Sequence, residues 1–160
     1  MSIEFSLKLK GNTVNEKLLV NEINKLGVNV DINNNDGGDI LEVDSIYESL
    51  GFTITLIKNK KPPYNVYETS FLETDFEYNQ VILFEFNKKA DFAISYVNAL
   101  ELIFNLIKAL NTSALLTSSV YDEICYFKNG TNVYIKKEVS LSEKINNITT
   151  ACGKWNCFYK

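Results

Sequence analysis

The run from Phe92 to Leu110, FAISYVNALELIFNLIKAL, constrains this chain more than any other stretch, because it is apolar on almost every side. A helix of that kind belongs either in a large core or in a membrane. Asn98, Glu101, Asn105 and Lys108 recur at helical spacing and draw one polar stripe along it. The expectation is therefore a deeply buried helix of a water-soluble domain, with one wet edge. Asp91 can cap its start, and it ends near Asn111.

A core able to hold such a helix is within reach of 160 residues at 46% hydrophobic content, and one globular domain over 1–160 is expected. Only 2 prolines and 7 glycines leave little room for long linkers. The opening MSIEFSLKLK alternates apolar and polar residues from its fourth position, and so lacks the continuous apolar core of a signal peptide. A cytoplasmic protein with no membrane partner is the expectation.

Around the long helix, the two-residue period marks strands. Ile3, Phe5, Leu7 and Leu9 point one way, and Glu4, Ser6, Lys8 and Lys10 the other. Thr13 and Glu16 then read as a capping box opening a helix that buries Val14, Leu18, Ile23 and Leu26 and stops at Gly27. Val28, Val30 and Ile32 alternate like a second strand, Ser45 to Leu50 reads as a short helix closed by Gly51, and Phe52 to Leu56 starts another strand. NKKPPY breaks the pattern, since proline cannot donate to a ladder. Val66 to Phe71 and Val81 to Phe86 are further strands, and Asn129-Gly130 predicts a two-residue hairpin turn between Ile124–Phe127 and Val133–Ile135. The order gives an α+β fold: an antiparallel sheet with one long buried helix and one N-terminal helix packed on one face. Outward Thr, Tyr and acidic residues leave the other face half-solvated and open to docking.

DINNNDGGDILE, from Asp31 to Glu42, nearly matches a calcium-binding EF-hand loop. Asp31, Asn33, Asn35, Asp39 and Glu42 fall on ligand positions, but Asp36 stands where the bend needs glycine, and no helices flank the loop. A plain polar turn is expected and no metal is assigned; a small binding module for calcium or another ligand through this loop is the alternative function.

The missing residue types exclude more than the motifs include. There is no histidine and no arginine, so the usual general base near neutral pH and the bidentate fork for phosphate are both missing. Three cysteines without histidine cannot complete a structural zinc site. Cys125, Cys152 and Cys157 read as free thiols, Cys125 being a nucleophile only with some base other than imidazole. With no phosphate loop, serine elbow or paired carboxylates, neither an enzyme nor a cofactor is expected.

Charge is unevenly spread although the net is only −4. Asp31, Asp36, Asp39, Glu42, Asp44 and Glu48 form one acidic block, and Glu68, Glu73, Asp75, Glu77 and Glu85 another. Tyr64, Tyr67, Phe71, Phe76 and Tyr78 interleave with the second block, and aromatics ringed by acids suit a cationic protein partner. Asp36, Asp39, Glu42, Asp44, Glu48, Tyr67, Glu68, Glu73, Asp75, Glu77 and Tyr78 are the candidate partner-binding residues. Lys154, Trp155, Phe158 and Tyr159 could stack on single-stranded nucleic acid, but an acidic, arginine-free domain argues against it. They read as a last strand or strap covering the core.

IEFSLKLKG before a helix, Leu50-Gly51-Phe52 entering a strand, a long helix after VILFEFNK, SALL at Ser113 to Leu116, and the YDEICYFKNGTNVYIKK hairpin together resemble the Sit-type immunity proteins, small bacterial antidotes to toxins passed between neighbouring cells. The resemblance spans about residues 3 to 137. It implies a protein without catalytic residues that binds a cognate toxin and occludes it stoichiometrically; the acidic surface points to a basic toxin such as a nuclease domain. Residues 139–160 extend beyond the resemblance, and the Asp31–Glu42 loop is foreign to it.

Overall fold

Alternation in the first strand sets the architecture: Phe5, Leu7 and Leu9 are buried under the helices, while Ser6 and Lys8 face the other way. The computed structural model describes residues 3–11, 13–35, 38–120, 122–137 and 155–160, without the side chains of 33–35. Expectations placed on Asp36, Cys152, Lys154 and the 138–154 stretch fall outside the described residues.

In chain order the elements are β1 (Glu4–Leu9), α1 (Glu16–Asn24), β2 (Asn33–Asn35), β3 (Ile40–Val43), α2 (Tyr47–Leu50), β4 (Phe52–Ile57), β5 (Val66–Tyr67), β6 (Phe76–Glu77), β7 (Gln80–Phe86), α3 (Phe92–Leu110), β8 (Ala114–Ser118), β9 (Asp122–Lys128), β10 (Asn132–Ile135) and β11 (Asn156–Tyr159). Among the described residues nine strands make one sheet in the order β11-β10-β9-β8-β1-β7-β4-β3-β2, and β5 and β6 form a separate hairpin. Every pair in the large sheet is antiparallel except β10 with β11. The α+β expectation holds, with the helices on one face.

The long helix α3 is where its pattern put it. Asp91 caps it by accepting from the amides of Ala93 (2.9 Å) and Ile94 (3.3 Å), and Asn111 closes it in the left-handed conformation at φ 52°. Leu100, Ile103, Phe104 and Ile107 are fully buried against the sheet. On its wet edge Asn98 donates to the carbonyl of Leu50 (3.3 Å) at the end of α2. Gly51 follows at φ 89°, and a Cβ there would stand 1.8 Å from Ser95 Oγ, so only glycine lets α2 and α3 approach this closely.

Several local expectations are corrected. Thr13 does not cap α1: the Gln80 side chain accepts from the Val14 amide (2.9 Å) and donates to its carbonyl (2.7 Å), which holds Val14 outside the helix. Asn15 caps instead, accepting from the Leu18 amide (2.9 Å). Leu19 and Ile23 are the buried apolar residues of α1, with Leu18 and Leu26 only partly covered. Val28 to Ile32 pack on the core but make no ladder; the Asp31 amide donates to Ser45 Oγ (3.0 Å), and pairing begins at Asn33. The strand expected over Val66 to Phe71 stops at Tyr67, because Thr69 and Ser70 turn to bind Glu123. The Asn129-Gly130 turn forms with both residues at positive φ, 55° and 72°, but the loop has three residues and not two: Lys128 pairs with Asn132, and Thr131 lies between them, its amide donating to the Lys128 carbonyl (3.4 Å).

Within the near-calcium stretch, the described residues of β2 and β3 pair as antiparallel strands. Glu42 is the Cα partner of Asn33, so its first and last parts lie side by side in a ladder, and Asp39 Oδ1 accepts from Asn59 Nδ2 (2.7 Å). Such a ladder does not wrap oxygens around one point as an EF-hand loop does.

Candidate functional site

Every second residue of the sheet points away from the helices, and the register aligns these residues in rows. One row runs from Ile57 on β4 through Val81, Lys8, Leu115, Tyr126 and Tyr134 to Phe158 on β11. The next holds Glu42, Thr55, Leu83, Ser6, Thr117 and Glu123. Beyond it, Thr53, Glu85 and Glu4 stand side by side.

Residues 64–79, carrying the β5–β6 hairpin, fold over the first row as a flap. Phe71, Phe76 and Tyr78 are buried with Val81, Leu115 and Tyr126 in a second apolar cluster, separate from the helix-face core. Phe71 stacks on Tyr126 at 6.2 Å, and Phe76 meets the same ring edge-on at 5.9 Å.

Beneath the flap lies a buried ammonium. Lys8 is 8% exposed; its Nζ donates to Ser6 Oγ and Thr117 Oγ1, both at 3.0 Å, and sits 4.6 Å from the Tyr67 ring centroid. No carboxylate is within ion-pair reach of it among the described residues. Burial lowers its pKa from 10.5 to about 8. Burial also raises the Tyr67 and Tyr78 hydroxyls, that of Tyr67 with help from Glu123 and Asp122.

Glu123 latches the flap to β9. Its carboxylate accepts from the Thr69 hydroxyl, the Ser70 hydroxyl (2.7 Å) and the Ser70 amide (3.2 Å). Burial alone would push this carboxyl up, but those donors and the Lys136 charge together hold it below the ordinary value.

The flap divides the face. On the β9–β11 side, Phe71, Leu72, Tyr126 and Tyr134 line a shallow groove with Lys128 and Lys160, and Lys136 lies over Phe71 at 4.9 Å. Phe158 stacks on Tyr134 at 5.0 Å and is 46% exposed. On the β7–β4–β3 side no element covers the sheet among the described residues: Thr53, Thr55, Leu83 and Glu42 are half-exposed, and Glu4 and Glu85 are exposed.

The acidic candidates fall on the flap, on and beside β3, and on α2. Glu68, Glu73, Asp75 and Glu77 are exposed on the flap; Asp39, Asp44 and Glu48 are exposed and Glu42 half-exposed along β3 and α2. Asp36 lies outside the described residues. Tyr67 and Tyr78 turn inward: Tyr67 covers Lys8, and Tyr78 is buried with its hydroxyl donating to the Tyr64 carbonyl (3.1 Å). Sequence reasoning placed Lys8 on the outward side of β1 but not its cover, and it missed Glu123 as the latch. Cys125 is fully buried and its thiol pushed far upward by burial and by Cys157, which leaves no reactive thiolate there. Among the described residues no three metal-ligating side chains converge.

The sequence model of a family described as SitI3-like matches residues 3–144. No curated protein and no solved structure matches.

Proposed function

The chain belongs to the SitI3-like family, a Sit-type immunity family, and on that premise we propose that it is a non-enzymatic cytoplasmic antidote that binds a cognate protein toxin and occludes it one to one. Family membership carries the reading. The chemistry of the surface supports a basic toxin, of nuclease type: acids stand exposed on the flap and along β3 and α2, and the net charge is −4. Attraction between such a surface and a cationic one speeds encounter, and area excluded from water slows release.

In this mechanism the helix face builds a rigid support, and Glu42, Glu68, Glu73, Asp75 and Glu77, with Asp39 and Asp44 flanking β3, supply the field that orients the partner, while Glu48 on α2, on the helix side, adds to it only at longer range. Tyr67 and Tyr78 hold the flap in place from below. The test is to co-produce this protein with the toxin domain encoded in the adjacent upstream gene, inactivated in its active site, and to measure the mass and salt sensitivity of any complex. A one-to-one, salt-weakened complex, together with rescue of cells making the active toxin, is expected. Absence of a complex at low salt, with no rescue, overturns the reading.

A further inference from the structure

We propose that the toxin docks on the uncovered part of the sheet's second face, the strip of Thr53, Thr55, Leu83, Glu85, Glu4 and Glu42, and that it presents a flat, lysine- or arginine-bearing surface there. This rests on the immunity reading and names its interface.

The strip belongs to interior strands. β4 and β7 are paired on both sides, so their outward residues form a continuous pleated surface. The flap buries the neighbouring first row and borders the strip at Leu83, which packs on the flap's apolar cluster; the strip's residues remain half-exposed or exposed. Short β-branched and aliphatic side chains at Thr53, Thr55 and Leu83 make a surface that a partner can cover closely.

Glu4 and Glu85 are direct cross-strand partners on this strip, next to Thr53. Like charges opposite one another weaken a sheet, and no cation lies within ion-pair distance of either among the described residues. The pair therefore works against the fold in the free protein, and a cation arriving from outside relieves it. That complementarity commits the occupant to a cationic protein face. The aromatic groove beside β10 has the opposite lining, Lys128 and Lys160, and does not suit the same surface.

The experiment uses the full chain and the inactivated toxin domain. E85K faces Glu4 with a lysine and should raise or leave unchanged the melting temperature, so a binding defect in it is not a folding defect. Its affinity for the toxin should fall about tenfold, with a shallower salt dependence, and that of E42K/E85K about a hundredfold. E16K makes the same charge change on exposed α1, on the other side of the sheet, and should stay within about twofold of wild type. If wild type binds and E85K binds equally well with the same salt slope, the strip is not the interface, and the immunity reading stands. If wild type does not bind at all, the immunity reading fails and this inference with it.

Discussion

On the helix face, Leu100, Ile103, Phe104 and Ile107 meet Leu7, Ile54 and Phe84 in a continuous layer without exposed atoms, whereas the other face holds a buried ammonium, a carboxylate latch and an open strip of threonine and glutamate. Burial at about 25 cal/mol per Å² of apolar area makes the first face the source of stability. The second face spends part of that stability on polar groups that a folding unit alone does not need. In a protein that must bind, such a division keeps the fold independent of the surface that meets the partner.

The sharpest contrast comes from truncation on the helix face. Phe104 is fully buried, edge-on to Phe127 at 5.0 Å and Trp155 at 5.2 Å, so Phe104→Ala should cost about 3–5 kcal/mol in urea denaturation. A loss below ~1 kcal/mol would erase the difference between the faces.

Lys8 tests the second face through pH. Its folded pKa, about 8, lies below its ordinary 10.5, so between those values the unfolded chain holds more protons and stability rises with pH. Wild type should gain ~2 kcal/mol from pH 7.5 to 10 relative to Lys8→Met. Above pH 10 the raised Tyr67 and Tyr78 act in the opposite sense, since their contribution is lost as pH climbs through their folded values. Denaturation curves of the two proteins at three pH values check this, and parallel curves would mean that the ammonium is not buried.

A smaller effect is expected at the latch. Glu123→Gln should cost about 1 kcal/mol after solvent screening and speed hydrogen exchange over residues 69–78 while leaving α3 unchanged. Because the Glu123 carboxyl is held low, its contribution is present above the ordinary carboxylate range and disappears as pH falls through the lowered value. The smallest is Glu85→Thr, which should raise stability by about 0.3–0.5 kcal/mol in a thermal melt by removing the opposition to Glu4.

The helix face was legible in the sequence because its signals are local. The period of Phe92–Leu110, the Asp91 cap, the alternation of β1, β4 and β7 and the Asn129-Gly130 turn each depend on neighbours within a few residues. The missed features depend on distant ones. Asn15 caps α1 in place of Thr13 because Gln80, far along the chain, occupies both backbone groups of Val14. β8 carries no alternation to detect, since all five of its residues are buried between the helices and the flap side. The flap has no period at all: its aromatics are placed by Tyr126, and its turn by Glu123. Of the candidate site, the acids were readable as composition, but Tyr67 and Tyr78 face inward because Lys8 and the apolar first row lie beneath them.

The most direct test of a division between a folding face and a docking face is a methyl NMR titration of the labelled protein with one equivalent of the inactivated toxin domain. The account predicts that Thr53, Thr55 and Leu83 methyl signals shift or broaden while those of Leu100 and Ile103, under the helices, stay in place. Shifts confined to the helix side, with the threonine strip unmoved in a saturated complex, would contradict it.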